Sequence, residues 1–434
     1  MSTPTVTRAL ARLGDKVVRI GKGRGSAYAL RRKVRDFGNQ WQLHRIRTDG
    51  SIEQLGTLEA LHGRYRWRLV PAHDLPLFMR EEFADGMYED LPWFLQALRP
   101  QGYLGRELVK GFAQQIGAPD DITLWQAEDI LGELVEFGID LPGNLILGED
   151  ASTKINLYKS AYKLFVIPPN ERIVRFIAES EQADARSKPG SSAAGERPKF
   201  TQILNHGHAL EHVIVKFAPL VRDNPTTQRW ADLLICEEIA MQLLIQSGIP
   251  AAKSQVIDAD EWRFLQSTRF DRTPPDGRVG VFALDSLDMA FVGSDQRNWL
   301  SGAEPLHAQG LINAEDLERI RLLDAFGRCI GNDDMHHGNL SFFAEPEDTR
   351  LRLAPVYDML PMHYRPSPIG LVRDAPFVLP TPETERFPMW QQVAMMAEAY
   401  WSHAADDRRL STAFSTICRD NTVRLRSWRR QHKL

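Results

Sequence analysis

The sequence predicts a mixed α/β (α+β) chain in two lobes, the first carrying sheet and the second mostly helical, behind a small basic module. Three observations predict this. From Trp41 the stretch "WQLHRIRTDGSIEQLGTLEALHGRYRWRLV" alternates in the manner of strands around a "TDGS" turn. Later "HVIVKFAPL" reads as a buried strand, and the long amphipathic helix "TTQRWADLLICEEIAMQLLIQSGIP" follows it. Toward the C-terminus "LPTPETERFPMWQQVAMMAEAYW" and "RLRSWRRQHKL" read as helices. With 434 residues and 43% hydrophobic content, the chain is long enough to bury two or three cores. The expected divisions are residues 1–36, 37–265 and 266–434.

No apolar run reaches the length of a membrane span, and "MSTPTVTRALARLG" has no apolar signal-peptide core. The expectation is a cytoplasmic protein without membrane contact. Cys236, Cys329 and Cys418 are widely separated and form no CxxC pair, so they read as buried thiols.

The net charge of −4 hides an asymmetry. Residues 1–35 hold ten Lys or Arg against Asp15 alone, giving +9 there and −13 elsewhere. In "STPTVTRALARLG", Ser2 or Thr3 can cap a short helix, Pro4 suits its first turn and Gly14 stops it. Thr5, Thr7, Arg8 and Arg12 then lie on the outer face. The next segment, "KVVRIGKGRGSAYAL", reads as a hairpin with a basic tip, bearing Arg19, Lys22 and Arg24. Helix plus basic wing is the layout of a winged helix-turn-helix, in which the helix reads the major groove and wing cations meet phosphate. Supporting helices do not precede it in this sequence, so either the start lies further upstream or residues 1–36 are a remnant, with DNA as the expected partner of residues 2–35. The competing reading is a solvated basic arm.

Helices are expected at "LPWFLQALRPQGYLGREL" and "DDITLWQAEDILGELVEFG". Residues 179–199, "ESEQADARSKPGSSAAGERPK", lack large apolar side chains and read as a mobile loop. Within it Ser191, Ser192, Ala193, Ala194 and Gly195 are small enough for backbone amides to approach phosphate, and Lys199 follows. The letters match neither GxxxxGK[ST] nor GxGxxG, so position carries the reading. Lys216 is the one charge in "VIVKFAPL", costly in a buried strand unless an anion pairs with it. Glu237 and Glu238 lie mid-helix beyond it. Loop, strand lysine and helix glutamate is the order of parts in a kinase small lobe.

The segment "CIGNDDMHHGNLSFF", Cys329 to Phe343, has an acidic centre between apolar flanks. Asp334 and Asn339 are five positions apart, the kinase spacing of base and metal ligand. Further on, "LRLAPVYDMLP" is expected to deliver Asp358 from the end of a strand, as a second metal ligand with Tyr357 and Met359 packed beside it. Two competitors exist: a transition-metal site built on His336 and His337 with Asp333 and Asp334, and a magnesium-dependent nuclease.

The segments "SSAAGERPKF", "HVIVKFA", "CEEIAMQLLIQSGIP", "FLQSTRFDR", "GNDDMHHGNLSFF" and "LAPVYDMLP" resemble, in order and wording, the HipA family of bacterial serine/threonine kinases and toxins. The resemblance spans roughly residues 90 to 400, and the basic start makes the layout most similar to YjjJ-type members. It implies a HipA-like, protein-kinase-like two-lobed fold. By its DxHxxN loop, Asp334 resembles the catalytic base, His336 a loop-shaping residue and Asn339 a magnesium ligand. Asp358 resembles the second magnesium ligand, Lys216 the ATP phosphate contact and Glu237 its partner. The family's SxAGxQxK loop maps onto Ser192, Ala194, Gly195, Arg197 and Lys199, with Ser192 at the autophosphorylation position. Arg197 stands where glutamine is usual.

The resemblance implies ATP and magnesium as cofactors and phosphoryl transfer to a protein serine or threonine. Implied partners are a substrate in translation, such as an aminoacyl-tRNA synthetase, and a HipB-like antitoxin. A magnesium-dependent nuclease and a DNA-binding regulator with an inactive kinase body are the alternative functions.

Overall fold

The computed structural model describes residues 3–21, 23–62, 67–72, 79, 86–148, 151–162, 166–186, 198–207, 209–221, 223–345 and 348–434. Helix Thr3–Leu13 opens the chain, with Pro4 in its first turn, where a missing amide hydrogen costs nothing. The hairpin Val17–Ile20 with Ala27–Leu30 follows, paired from Val17 with Leu30 to Ile20 with Ala27. The helix keeps its apolar side chains half in water, Val6 at 39% and Leu13 at 40% exposure. The hairpin is anchored instead, through the core of Val18, Leu61 and Met87. Three of the ten cations are spent on that anchoring. Arg31, Arg32 and Arg35 pair with Glu59, Glu128 and Asp129 at 2.7, 3.0 and 2.5 Å, so the basic face is narrower than the +9 of the sequence implies.

The first large sheet runs in the spatial order Met87–Tyr88, Trp67–Pro71, Ile52–Ala60, Gln40–Ile46, Leu145–Leu147, all antiparallel. Helices Trp93–Gln96, Gly102–Phe112 and Ala127–Glu136 accompany it, where their three- and four-residue apolar spacing predicts them.

The second sheet positions the site. Its order is Ser254–Ala259, Trp262–Thr268, Leu210–Pro219, Lys199–Asn205, Val166–Ile167, so the strand bearing Lys216 is central rather than at an edge. Val213, Val215 and Phe217 alternate onto one face and pack with Ile167, Leu204 and Phe264 around Phe176 of helix Arg172–Arg186. Each such side chain contributes roughly 1.5–3 kcal/mol by leaving water. Period-two geometry then turns His212, Ile214 and Lys216 to the other face.

Helix Arg172–Arg186 corrects the expected loop at 179–199. Residues 179–186 are helical because Ala, Gln, Glu and Arg are good helix formers, and because Phe176 and Ser180 are fully buried one turn apart. Residues 187–197, which include Ser192, Ala194, Gly195 and Arg197, lie outside the described residues.

The C-terminal part is built on helices Trp299–Ala308, Ala314–Cys329, Phe387–Asp406 and Thr412–His432, with Phe326, Tyr400, Trp401 and Phe414 fully buried among them. Cys236, Cys329 and Cys418 are buried free thiols. Among the described residues no helix is long and apolar enough to cross a membrane.

Candidate active site

Four segments converge: the strand Leu210–Pro219, the helix Pro225–Gln246, the loop after Ala314–Cys329, and the turn around Asp358. Asn224 caps the helix by accepting from the amides of Thr226 and Thr227, with Pro225 at the first position. That fixes where Glu237 falls. Lys216 Nζ donates to Glu237 Oε1 and Oε2 at 2.6 and 2.7 Å, and also to Asp358 Oδ1. Glu238, the neighbouring candidate, turns away: it accepts from the Val256 amide and pairs with Arg409, both at 2.7 Å.

Lys199 lies directly opposite Lys216 in the antiparallel ladder, so both side chains leave the same face. Two like charges there would repel unless anions lie between them. Burial by itself pushes Lys216 down, but Asp358 and Glu237 outweigh it and hold the ammonium charged. Between the carboxylates the burden divides unequally. Burial raises Asp358, yet Lys216 and Lys199 more than reverse this and hold it below the usual carboxylate range. Glu237, 2% exposed and beside a charged Asp358, is raised by burial more than Lys216 lowers it.

Asp358 has φ +54, in the left-handed region where aspartate is among the few residues tolerated. The expected strand end is not what delivers it. The strand there is only Arg352–Leu353, and Val356 makes an isolated bridge to Ala251. Pro355 lacks an amide hydrogen and interrupts the ladder.

In the loop, helix Ala314–Cys329 ends at Gly331, φ +75, where a Cβ would strike Phe377 at 2.8 Å. Asp334 is half-buried. Burial raises its pKa above the usual carboxylate value, opposed by His336 and Arg365. Asn339 Nδ2 donates to the Asp334 carbonyl at 2.9 Å, which ties together the two residues five positions apart. Asn339 Oδ1 and the Asp358 carboxylate are hard oxygen donors, a set that suits a divalent cation such as magnesium.

Several contributors carry no legible spacing in the sequence. Asn332 accepts from the Asp334 amide at 3.1 Å and donates to the Asp358 carbonyl at 3.5 Å, linking loop to turn. Arg365 pairs with Asp333. Tyr357, expected as a packing neighbour, donates to the Gly338 carbonyl at 3.0 Å and lies 2.7 Å from Ser341 Oγ. The two histidines divide labour. His336 is exposed and accepts from the Gly338 amide at 3.0 Å, while the buried His337 faces the Asn298 carbonyl at 2.7 Å. Trp299 Nε1 donates to the His336 carbonyl at 3.0 Å. The histidines shape the loop, and among the described residues no cluster of three His, Cys, Asp or Glu could hold a metal.

Of the N-terminal candidates, Thr5, Thr7, Arg8, Arg12 and Arg19 are exposed. Arg19 donates from Nε and Nη2 to Ser26 Oγ at 3.0 and 2.8 Å across the hairpin. Lys22 and the side chain of Arg24 lie outside the described residues.

A central strand lysine clamped by a helix glutamate, facing an Asp/Asn loop, defines a protein of kinase-like α/β fold. The comparisons agree and go further. Residues 37–156 match the YjjJ-like toxin middle domain, and residues 191–420 match the HipA-like C-terminal domain. Toxin YjjJ of Escherichia coli K12 is 33% identical over 428 residues, covering 98% of this chain and 92% of that protein. The structure of the Shewanella oneidensis MR-1 toxin-antitoxin system HipA, HipB and its operator DNA superposes with a TM-score of 0.57 at 14% identity. That match covers 89% of this chain and 95% of the other. The chain belongs to the HipA-like family and resembles its YjjJ-like toxins along nearly its whole length.

Proposed function

We propose that this chain is a serine/threonine protein kinase acting as a toxin, transferring the γ-phosphoryl group of ATP to a protein hydroxyl. The observation that carries the reading is Lys216 held between Glu237 and Asp358 beside the Asp334–Asn339 loop. ATP would lie between the sheet-bearing lobe, 37–265, and the helical lobe, 266–434, its phosphates against Lys216, Lys199 and the 190–199 segment. Asn339 and Asp358 would hold magnesium, which when bound supplies neutralisation of phosphate charge. Asp334 orients the incoming hydroxyl and accepts its proton as the hydroxyl oxygen bonds to the γ-phosphorus. The bond from that phosphorus to the β-phosphate oxygen breaks, and ADP leaves. Catalysis is then chiefly positioning and charge neutralisation. Because burial raises Asp334 above the ordinary aspartate value, transfer is expected to fall as pH drops at a higher pH than an ordinary aspartate would give.

Ser192 is the proposed autophosphorylation site, and a translation enzyme such as an aminoacyl-tRNA synthetase the proposed class of substrate. A HipB-like antitoxin is the proposed restraining partner, by likeness to the Shewanella complex. Residues 2–35 are proposed to contact DNA phosphate.

The test is incubation with labelled ATP and magnesium, wild type beside Asp334→Ala, with peptide mapping. Label on Ser192 or an added protein, lost in the variant, supports the kinase. Magnesium-dependent nicking of DNA without ATP would favour the nuclease. Neither labelling nor nucleotide binding would leave a DNA-binding regulator.

A further inference from the structure

A second buried charge cluster lies on the same face of the same strand. His212 is four residues from Lys216, about 13 Å along the ladder, and it lines a cavity with Ile46, Tyr158, Arg272, Asp276 and Arg278. Arg269 Nε and Nη2 each reach Asp271 at 3.0 Å. Arg272 reaches Asp271 and Asp140, both at 2.7 Å, and the Gly143 and Leu141 carbonyls at 3.0 and 2.8 Å. These two arginines and two aspartates satisfy one another.

Arg278 is the arginine of the cluster without an ion pair. It is 5% exposed, and its side chain makes no hydrogen bond or ion pair with any described residue. Arg272 Nε is buried without a hydrogen-bond partner. Burial and the neighbouring Arg272 press Arg278 down to about 9, against a pull from Asp140. A guanidinium does not give up its proton in a protein, and an uncompensated buried charge is expensive. The arrangement is nevertheless rigid. The Arg278 amide donates to the Arg47 carbonyl at 3.1 Å, and a Cβ on Gly277 would lie 1.9 Å from the Thr48 carbonyl oxygen. Arg278 is therefore held at the cavity by its backbone.

We propose that this cavity binds an oxyanion of the phosphate class, gripped by Arg278 with Arg272, His212 and Tyr158 as its wall. The planar fork of a guanidinium matches two oxygens of such an ion, which a single halide does not exploit. Tyr158 is engaged with Asp140 and forms wall only, and His212, lowered to about 4 by burial and by Arg272, stays neutral at physiological pH. The cavity, about 20 Å³, holds one oxygen of the anion and leaves the others at its mouth, and the Asp276 carboxylate at the wall works against a highly charged ion. The site joins the end of strand Gln40–Ile46, helix Ala151–Tyr162, the Lys216 strand and the Arg272–Arg278 hairpin. An anion there would bridge the two large sheets. The proposal does not depend on the kinase reading.

The test is thermal unfolding of the full chain titrated with inorganic phosphate at constant ionic strength set by chloride. Wild type is expected to gain stability with phosphate. Arg278→Met should be at least as stable as wild type without phosphate and respond with roughly tenfold weaker affinity. Lys216→Met should keep the wild-type response, which separates this site from any phosphate held beside Lys216. Equal responses from wild type and Arg278→Met, loss of the response in Lys216→Met, or a response to chloride as strong as to phosphate would each overturn the proposal.

Discussion

The two buried clusters on the Lys216 strand differ in the sign of what is left over. Around Lys216, one lysine is shared by Glu237 and Asp358, with Asp334 nearby, so acid is in excess and Lys199 only partly offsets it. Around Arg272, Asp271 and Asp140 pair with Arg269 and Arg272, while the side chain of Arg278 makes no ion pair with a described residue. Interior charge is expensive unless paired, so an imbalance of either sign identifies what is missing. The first cluster is where the proposed magnesium and ATP phosphates would lie, and the second is where the proposed oxyanion would.

The largest expected effect lies in the first cluster. Asp334→Ala should reduce phosphoryl transfer by about 10³-fold, the range for loss of a general base, and a loss below tenfold in a single-turnover assay would break the assignment. Next is the balanced half of the second cluster. Asp271→Asn leaves Arg269 and Arg272 short of a counter-charge and should cost about 3 kcal/mol, read by urea unfolding. An unchanged midpoint would mean that these charges are solvated in solution.

A third buried ionisable group sharpens the contrast because it has no hydrogen-bond partner among the described residues. Glu133 is fully buried, both its oxygens lack hydrogen-bond partners, and burial pushes its pKa up to about 8. Its folded pKa exceeds the unfolded one, so its contribution to stability is complete below the unfolded value and is lost as pH rises toward 8. Glu133→Gln should therefore gain on wild type between pH 5 and 8, reaching about 2 kcal/mol at the upper end. A stability difference independent of pH would show that Glu133 is not protonated in the fold. The smallest effect belongs to the N-terminal helix. Replacing Arg8 and Arg12 by Ala should lower the slope of DNA affinity against salt by about 2 in log–log units, and an unaltered slope would remove them from the interface.

How much of this was legible in the sequence varies by element. Period-two alternation marked the 41–71 strands and the Lys216 strand because one face of each is buried, and that is what alternation records. The grouping of Lys216 with Glu237 and Asp358, and of Asp334 with Asn339, was legible because residue types costly to bury stood in apolar surroundings or at fixed spacing. Residues 179–186 were misread because polar composition marks loops and exposed helix faces alike. Asp358 was reached through a left-handed turn rather than a strand because Pro355 breaks the ladder. The roles of Asn332, His337 and Arg365 were hidden, since each acts through a partner far away in sequence, such as Asn298 for His337. The lack of an ion pair at Arg278 was hidden for a related reason: it appears only once Asp271 and Asp140 are known to be taken.

The most direct test of the central claim is calorimetric titration of ATP with magnesium into wild type, Asp334→Asn and Lys216→Met. If Lys216 holds phosphate and Asp334 acts only on the incoming hydroxyl, Asp334→Asn binds nucleotide within about threefold of wild type, while Lys216→Met binds at least roughly tenfold more weakly. Equal binding by all three proteins, or a loss in Asp334→Asn as large as in Lys216→Met, would contradict that division of roles.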